Sequence, residues 1–175
     1  MSRTIKFHTA CFSTNLNNFS LTSIIKQYLL TADFSDMKDS EDNTYYEISS
    51  FSESIQIFNK VECLIIFFDL EFNESLIELN KILKHIDGSS FSDKKIFVIK
   101  IYTNNNNIES NLDEESIKNC FSNYSLNNYE IVSTVNMDSS DELVGTIENL
   151  TKETIQEIEG NNSTFDNSQS HCLII

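Results

Sequence analysis

The stretch Val61-Glu62-Cys63-Leu64-Ile65-Ile66-Phe67-Phe68-Asp69 is apolar at six consecutive positions, on both parities. Successive side chains of a strand point to opposite faces, so such a run is a strand covered on both sides, as in a parallel sheet. The residues around it support that reading. Downstream, Asn73 suits a helix N-cap, Leu76, Leu79, Leu83 and Ile86 form one apolar stripe, and Gly88 marks the helix end. Lys95–Tyr102 reads as the next strand, followed by a run of four asparagines. Upstream, Thr44–Phe51 reads as a strand and residues 52–60 as a short helix.

The same alternation extends to both ends. Residues 4–12 read as a first strand, Ser13 to Asn18 as a loop, and residues 19–32 as a helix carrying Leu21, Ile24, Ile25, Tyr28 and Leu29. Residues 113–124 read as a helix, 129–135 as a strand, and 140–158 as a last helix with Leu143, Ile147, Leu150, Ile155 and Ile158 facing the core. Strands alternating with helices predict an α/β fold. The sheet is expected to be doubly wound and mostly parallel, with five to six strands flanked by helices. Residues 1–159 form this domain in the reading, and residues 160–175 a flexible polar tail.

At 175 residues the chain has room for one ordinary core, and 39% hydrophobic content excludes wholesale disorder. The opening Met1-Ser2-Arg3-Thr4-Ile5-Lys6 lacks the long apolar segment of a secretory signal, and no apolar run has the length of a membrane span. A formal charge of −15 argues against nucleic acid, whose phosphates require clustered Lys and Arg. Cys11, Cys63, Cys120 and Cys172 show no C-x-x-C spacing, and His8, His85 and His171 are scattered, so no metal site is expected. No nucleophile motif such as Gly-x-Ser-x-Gly occurs.

The last four residues, Cys172-Leu173-Ile174-Ile175, fit the C-a-a-X signal for prenylation of the cysteine. The expected partner is thus a membrane, reached through a prenyl group on Cys172, with the protein on its cytoplasmic face. Glu153, Glu157, Glu159 and Asp166 replace the polybasic stretch that usually strengthens such anchors. A single lipid chain holds marginally, so a sizeable cytosolic pool is expected. Fractionation checks this: the parent divides between membrane and soluble pools, and Cys172→Ser is wholly soluble.

The order of elements, combined with the C-terminal box, resembles the Ras superfamily of small GTPases. The residues carrying the resemblance are 61–69 with Asn73-Glu74-Ser75-Leu76, then Lys95-Ile96-Phe97-Val98-Ile99-Lys100, and Asp141-Glu142-Leu143 opening the last helix. It covers most of residues 4–158. The family's chemical motifs do not follow. The loop after the first strand has no Gly and no Lys: Thr14, Asn15, Asn17, Asn18 and Phe19 occupy the phosphate-loop positions, with Asn15 and Asn17 at glycines, Asn18 at the lysine and Phe19 at the magnesium-binding hydroxyl. Ser49-Ser50-Phe51-Ser52-Glu53 stands in place of Asp-x-x-Gly-Gln, so Ser49, Ser52 and Glu53 fall at the magnesium, γ-phosphate and water-orienting positions. Tyr102-Thr103-Asn104-Asn105 stands in place of Asn-Lys-x-Asp, and Asn105 offers an amide where a carboxylate would read guanine.

The resemblance therefore implies a pseudo-GTPase: a membrane-tethered, Ras-like adaptor in signal transduction that acts by binding an unidentified protein partner, with no catalytic residues and no cofactor. The alternative it leaves is a small GTPase that binds GTP and Mg²⁺ through a divergent loop. The reading leans away from an enzyme.

Overall fold

The computed structural model describes residues 3–15, 44–51, 63–88, 94–103 and 112–163. Five strands appear in chain order: β1 (Arg3–Ser13), β2 (Thr44–Phe51), β3 (Cys63–Asp69), β4 (Lys95–Tyr102) and β5 (Tyr129–Asn136). Three helices are described: α1 (Ser75–Asp87), α2 (Glu114–Phe121) and α3 (Ser140–Ser163). The strands form one sheet in the order β2-β1-β3-β4-β5, and every neighbouring pair is parallel.

The strand pattern that predicted two-sided burial does so. All seven residues of β3 are buried. Leu64, Ile66 and Phe68 join Ile96 and Val98 under Leu79, Leu83 and Ile86 of α1 and Ile117, Cys120 and Phe121 of α2. Cys63, Ile65 and Phe67 join Phe97, Ile99 and Ile101 on the other face, under Leu143, Ile147, Leu150 and Ile155 of α3. Helices cover both faces, so the fold is α/β with a parallel, doubly wound sheet.

Local details differ from the sequence pattern at the helix ends. The cap of α1 is Glu74, not Asn73, and makes no side-chain cap hydrogen bond. The helix starts later because Ser75 is drawn inward: its amide donates to the Phe72 carbonyl at 2.9 Å and its hydroxyl to the Asp69 carbonyl at 2.6 Å. α2 is shorter than expected and is capped by Asp113, which accepts from the Ser116 amide; that bond and one from the Ser116 hydroxyl hold its carboxyl below the usual range. α3 continues to Ser163, five residues past the expected end. The expected helices over residues 19–32 and 52–60 lie outside the described residues.

Gly88 ends α1 at φ −81°, ψ 2°, a backbone that any residue adopts, and a Cβ there would meet nothing nearer than the Lys84 carbonyl at 4.0 Å. Gly88→Ala should therefore stabilise the protein by about 0.4–1 kcal/mol, by narrowing the unfolded ensemble. Urea denaturation reads the gain as a higher midpoint.

At the amino edge, Lys95 ties β4 to α3. Its Nζ lies 2.8 Å from Glu157, 3.4 Å from Glu153 and 3.7 Å from Glu130, and 4.9 Å from the centre of the Phe97 ring. Burial opposes the charge of Lys95, but Glu157 and Glu153 outweigh it and raise its pKa. This clamp sets α3 against the sheet at the end opposite the candidate site.

Candidate functional site

Because all strands run parallel, their carboxyl ends share one edge, and there the chain changes direction across the sheet. From β1 it passes to β2 on one side; β3 then lies on the other side of β1. The loops leaving β1 and β3 part at this point, and doubly wound sheets bind ligands in the crevice this opens.

The residues at this point are polar and joined to one another. Backbone bonds continue the ladder past the strand ends, from Thr14 N to the Phe67 carbonyl at 3.0 Å, Leu70 N to Ile101 at 2.9 Å and Met137 N to Tyr102 at 2.7 Å. Beneath the edge, the Asp69 amide donates to Thr14 Oγ1 at 3.0 Å, Thr14 Oγ1 lies 2.9 Å from Ser75 Oγ, and Ser75 Oγ donates to the Asp69 carbonyl at 2.6 Å. A hydroxyl has one proton. Ser75 gives its proton to the Asp69 carbonyl, so Thr14 donates to Ser75, and the three residues close a ring in which each hydroxyl donates once and accepts once. Thr14 and Ser75 are both buried, at 1% and 0% exposure, and among the described residues no buried side-chain polar atom lacks a partner.

Two carboxylates stand above this ring. Asp69, 5% exposed, accepts from the Asn15 side-chain amide on Oδ2 and from the Glu71 amide on Oδ1, each at 2.9 Å. Glu71 Oε2 in turn accepts from the Thr103 amide at 2.7 Å and from the Thr103 hydroxyl. Ser13 folds the start of the turn onto itself, donating to the Asn15 carbonyl at 3.0 Å and accepting from the Asn15 amide at 3.1 Å. The ends of β1, β3 and β4 are thus stitched together by Asn15, Asp69, Glu71 and Thr103.

Of the residues expected from sequence to line a site, the fold brings Thr14, Asn15 and Thr103 together, although they lie up to 89 positions apart in the chain (103 − 14). Tyr102 is beside them, half-buried against the core of the α1 face. Ser49 lies in β2, opposite His8 of β1. Asn17, Asn18, Phe19, Ser52, Glu53, Asn105 and Cys172 lie outside the described residues. The sequence reading missed Ser13, Asp69, Glu71 and Ser75. Asp69 carried the one visible signal, an acid closing a strand that is apolar throughout.

Chemically, the cluster presents acceptor oxygens rather than a nucleophile with its base. Among the described residues no group of three His, Cys, Asp or Glu side chains is placed to hold a metal ion.

No protein-family model matches the chain, and no curated protein matches it. Solved structures do. A Fusobacterium nucleatum flavodoxin bound to flavin mononucleotide has a TM-score of 0.44 and 14% identity, over 88% of this chain and 98% of its own. A short-chain flavodoxin associated with a non-canonical PDU bacterial microcompartment has a TM-score of 0.43 and 12% identity, over 86% of this chain and 99% of its own. The order of the strands corrects the Ras-like expectation. The matched structures are flavodoxins, and the strand order 2-1-3-4-5 is the flavodoxin-type order. The pseudo-GTPase adaptor, its GTP- and Mg²⁺-binding alternative, and the vestigial nucleotide-loop roles of the residues named above are not retained. The expectation of no cofactor falls with them, because it rested on reading these residues as lost nucleotide motifs of a Ras-like domain. The physical reason for the error is that alternating strands and helices occur in every doubly wound sheet, whereas strand order is set by contacts that no local pattern records.

Proposed function

We propose that this protein is a flavodoxin-type domain that binds the ring of a flavin in the crevice between the carboxyl ends of β1 and β3. The observation that carries the reading is the polar cluster of Asn15, Asp69, Glu71 and Thr103 at the switch point of a 2-1-3-4-5 sheet. In this class of sheet flavin sits at that switch point. The Asp69 and Glu71 oxygens suit the N–H edge of a flavin ring, because a carboxylate accepts several hydrogen bonds and a charged acceptor makes the stronger ones. The ring of hydrogen bonds beneath them fixes both loops before a ligand arrives, which reduces the ordering cost of binding. A bound flavin supplies electron-transfer chemistry; the protein's part is to hold and orient the ring.

Titration of riboflavin with the full chain, followed by quenching of flavin fluorescence, tests this. The expected dissociation constant lies below about 10 μM, roughly −7 kcal/mol of binding free energy. Fluorescence unchanged at about 100 μM protein would dismiss the flavin reading.

A further inference from the structure

The second half of α3 is a weak helix by its own sequence. From Glu153 to Ser163 it carries Glu153, Glu157 and Glu159 and no Lys or Arg, so only negative charge stands where the helix dipole favours a cation. Gly160, Asn161, Asn162 and Ser163 are poor helix formers. Further back, Thr151 and Thr154 are buried, and their hydroxyls donate to the Ile147 and Leu150 carbonyls at 2.8 Å each, bonds that slightly loosen a helix. Lys152 turns back to Glu148 at 3.0 Å, toward the first half. Among the described side chains of α3, Ile155 is the last one buried; Gln156 and Glu157 beyond it are exposed. A cation reaches this end from elsewhere in the fold. Lys95 of β4, its side chain only 14% exposed, lies 2.8 Å from Glu157 and 3.4 Å from Glu153, one helical turn apart, with its ammonium over the Phe97 ring and 3.7 Å from Glu130 of β5.

We infer that Lys95 is an electrostatic latch on the last helix. It holds the turns from Glu153 onward against the amino edge, and loss or screening of its charge lets those turns open while the first half of α3, anchored by Leu143, Ile147 and Leu150, stays packed. The latch lies at the edge opposite the crevice and does not depend on what the crevice binds.

Native-state amide hydrogen exchange on the full chain tests it, comparing residues 155–159 with residues 144–150 of the same helix. Lys95→Met keeps the apolar stem over Phe97 and removes the charge. At low salt (about 20 mM) it should speed exchange of residues 155–159 by about fivefold to tenfold and leave residues 144–150 unchanged. Salt at about 500 mM should speed the same amides of the parent by about threefold and those of Lys95→Met not at all. Lys95→Arg keeps the charge and should exchange at the parent's rate. Glu157→Gln, which leaves Lys95 in place with Glu153 and Glu130, is the milder variant if Lys95→Met does not fold, and should speed residues 155–159 by about threefold. Unchanged exchange of residues 155–159 in the variants, or equal acceleration along the whole helix, would overturn the latch. So would a Lys95→Arg variant that exchanges as fast as Lys95→Met, because packing rather than charge would then hold the turns.

Discussion

Phe67→Ala is expected to lower the unfolding free energy by about 3–5 kcal/mol. Phe67 is fully buried on the face covered by α3, among Ile65, Phe97, Ile99 and Ile101. The loss combines the transfer energy of a phenyl group with the cavity it leaves, which strands hydrogen-bonded on both sides do not collapse to fill. It is a large share of the roughly 5–15 kcal/mol that holds a typical domain together. Phe68→Ala should cost about as much, because Phe68 is equally buried on the opposite face, under α1 and α2. That pair of results separates a sheet covered on both sides from one with a wet face. Urea unfolding of both variants measures it, and a loss below about 1 kcal/mol in either would mean that its face is open.

The hydrogen-bonded ring beneath the crevice should show itself as energetic coupling. Thr14→Val keeps the shape of the side chain and removes the hydroxyl, leaving the Asp69 amide without an acceptor and Ser75 without a donor. The expected cost is about 1–3 kcal/mol, the penalty for buried polar groups left unpaired. Ser75→Ala should cost a similar amount, since it removes the donor to the Asp69 carbonyl. In the double variant the two losses should not add: a coupling of about 0.5–3 kcal/mol is expected, because part of each penalty is the same broken bond. Additive losses would show that Thr14 and Ser75 act independently and that the loops leaving β1 and β3 are not fixed by this ring.

Much of the architecture was legible because it is written locally. The bounds of β2 and β4 follow from alternation and β-branched content, and the burial of β3 follows from apolar residues at every position. The buried stripes of α1 and α3 follow from spacing, through Leu79, Leu83 and Ile86, and through Leu143, Ile147 and Leu150. The start of α1 was misread because Asn73 is the better intrinsic cap. The tertiary bonds of Ser75 to Asp69 and Thr14 override that preference, and they join residues 6 and 61 positions apart.

The candidate site was half legible for the same reason. Thr14, Asn15 and Thr103 were named through the small-GTPase resemblance, whose motifs sit in loops after strands, where an α/β edge carries function. Asp69 and Glu71 look locally like an ordinary strand end and turn. Their importance comes from Asn15, 54 positions before Asp69, and Thr103, 32 positions after Glu71. The order of strands, which decides where the crevice lies, is likewise a non-local fact. The resemblance to small GTPases grew from the shared local pattern and could not register that order.

The most direct test of the account is a map of riboflavin on the protein by amide chemical-shift perturbation in NMR. The account predicts that the amides of Asn15, Asp69, Leu70, Glu71 and Thr103 shift together on titration, while those of Ile96 and Asn128 at the amino edge stay in place. Shifts centred on the amino edge around Lys95, or amides of the carboxyl edge unmoved while riboflavin binds, would contradict it.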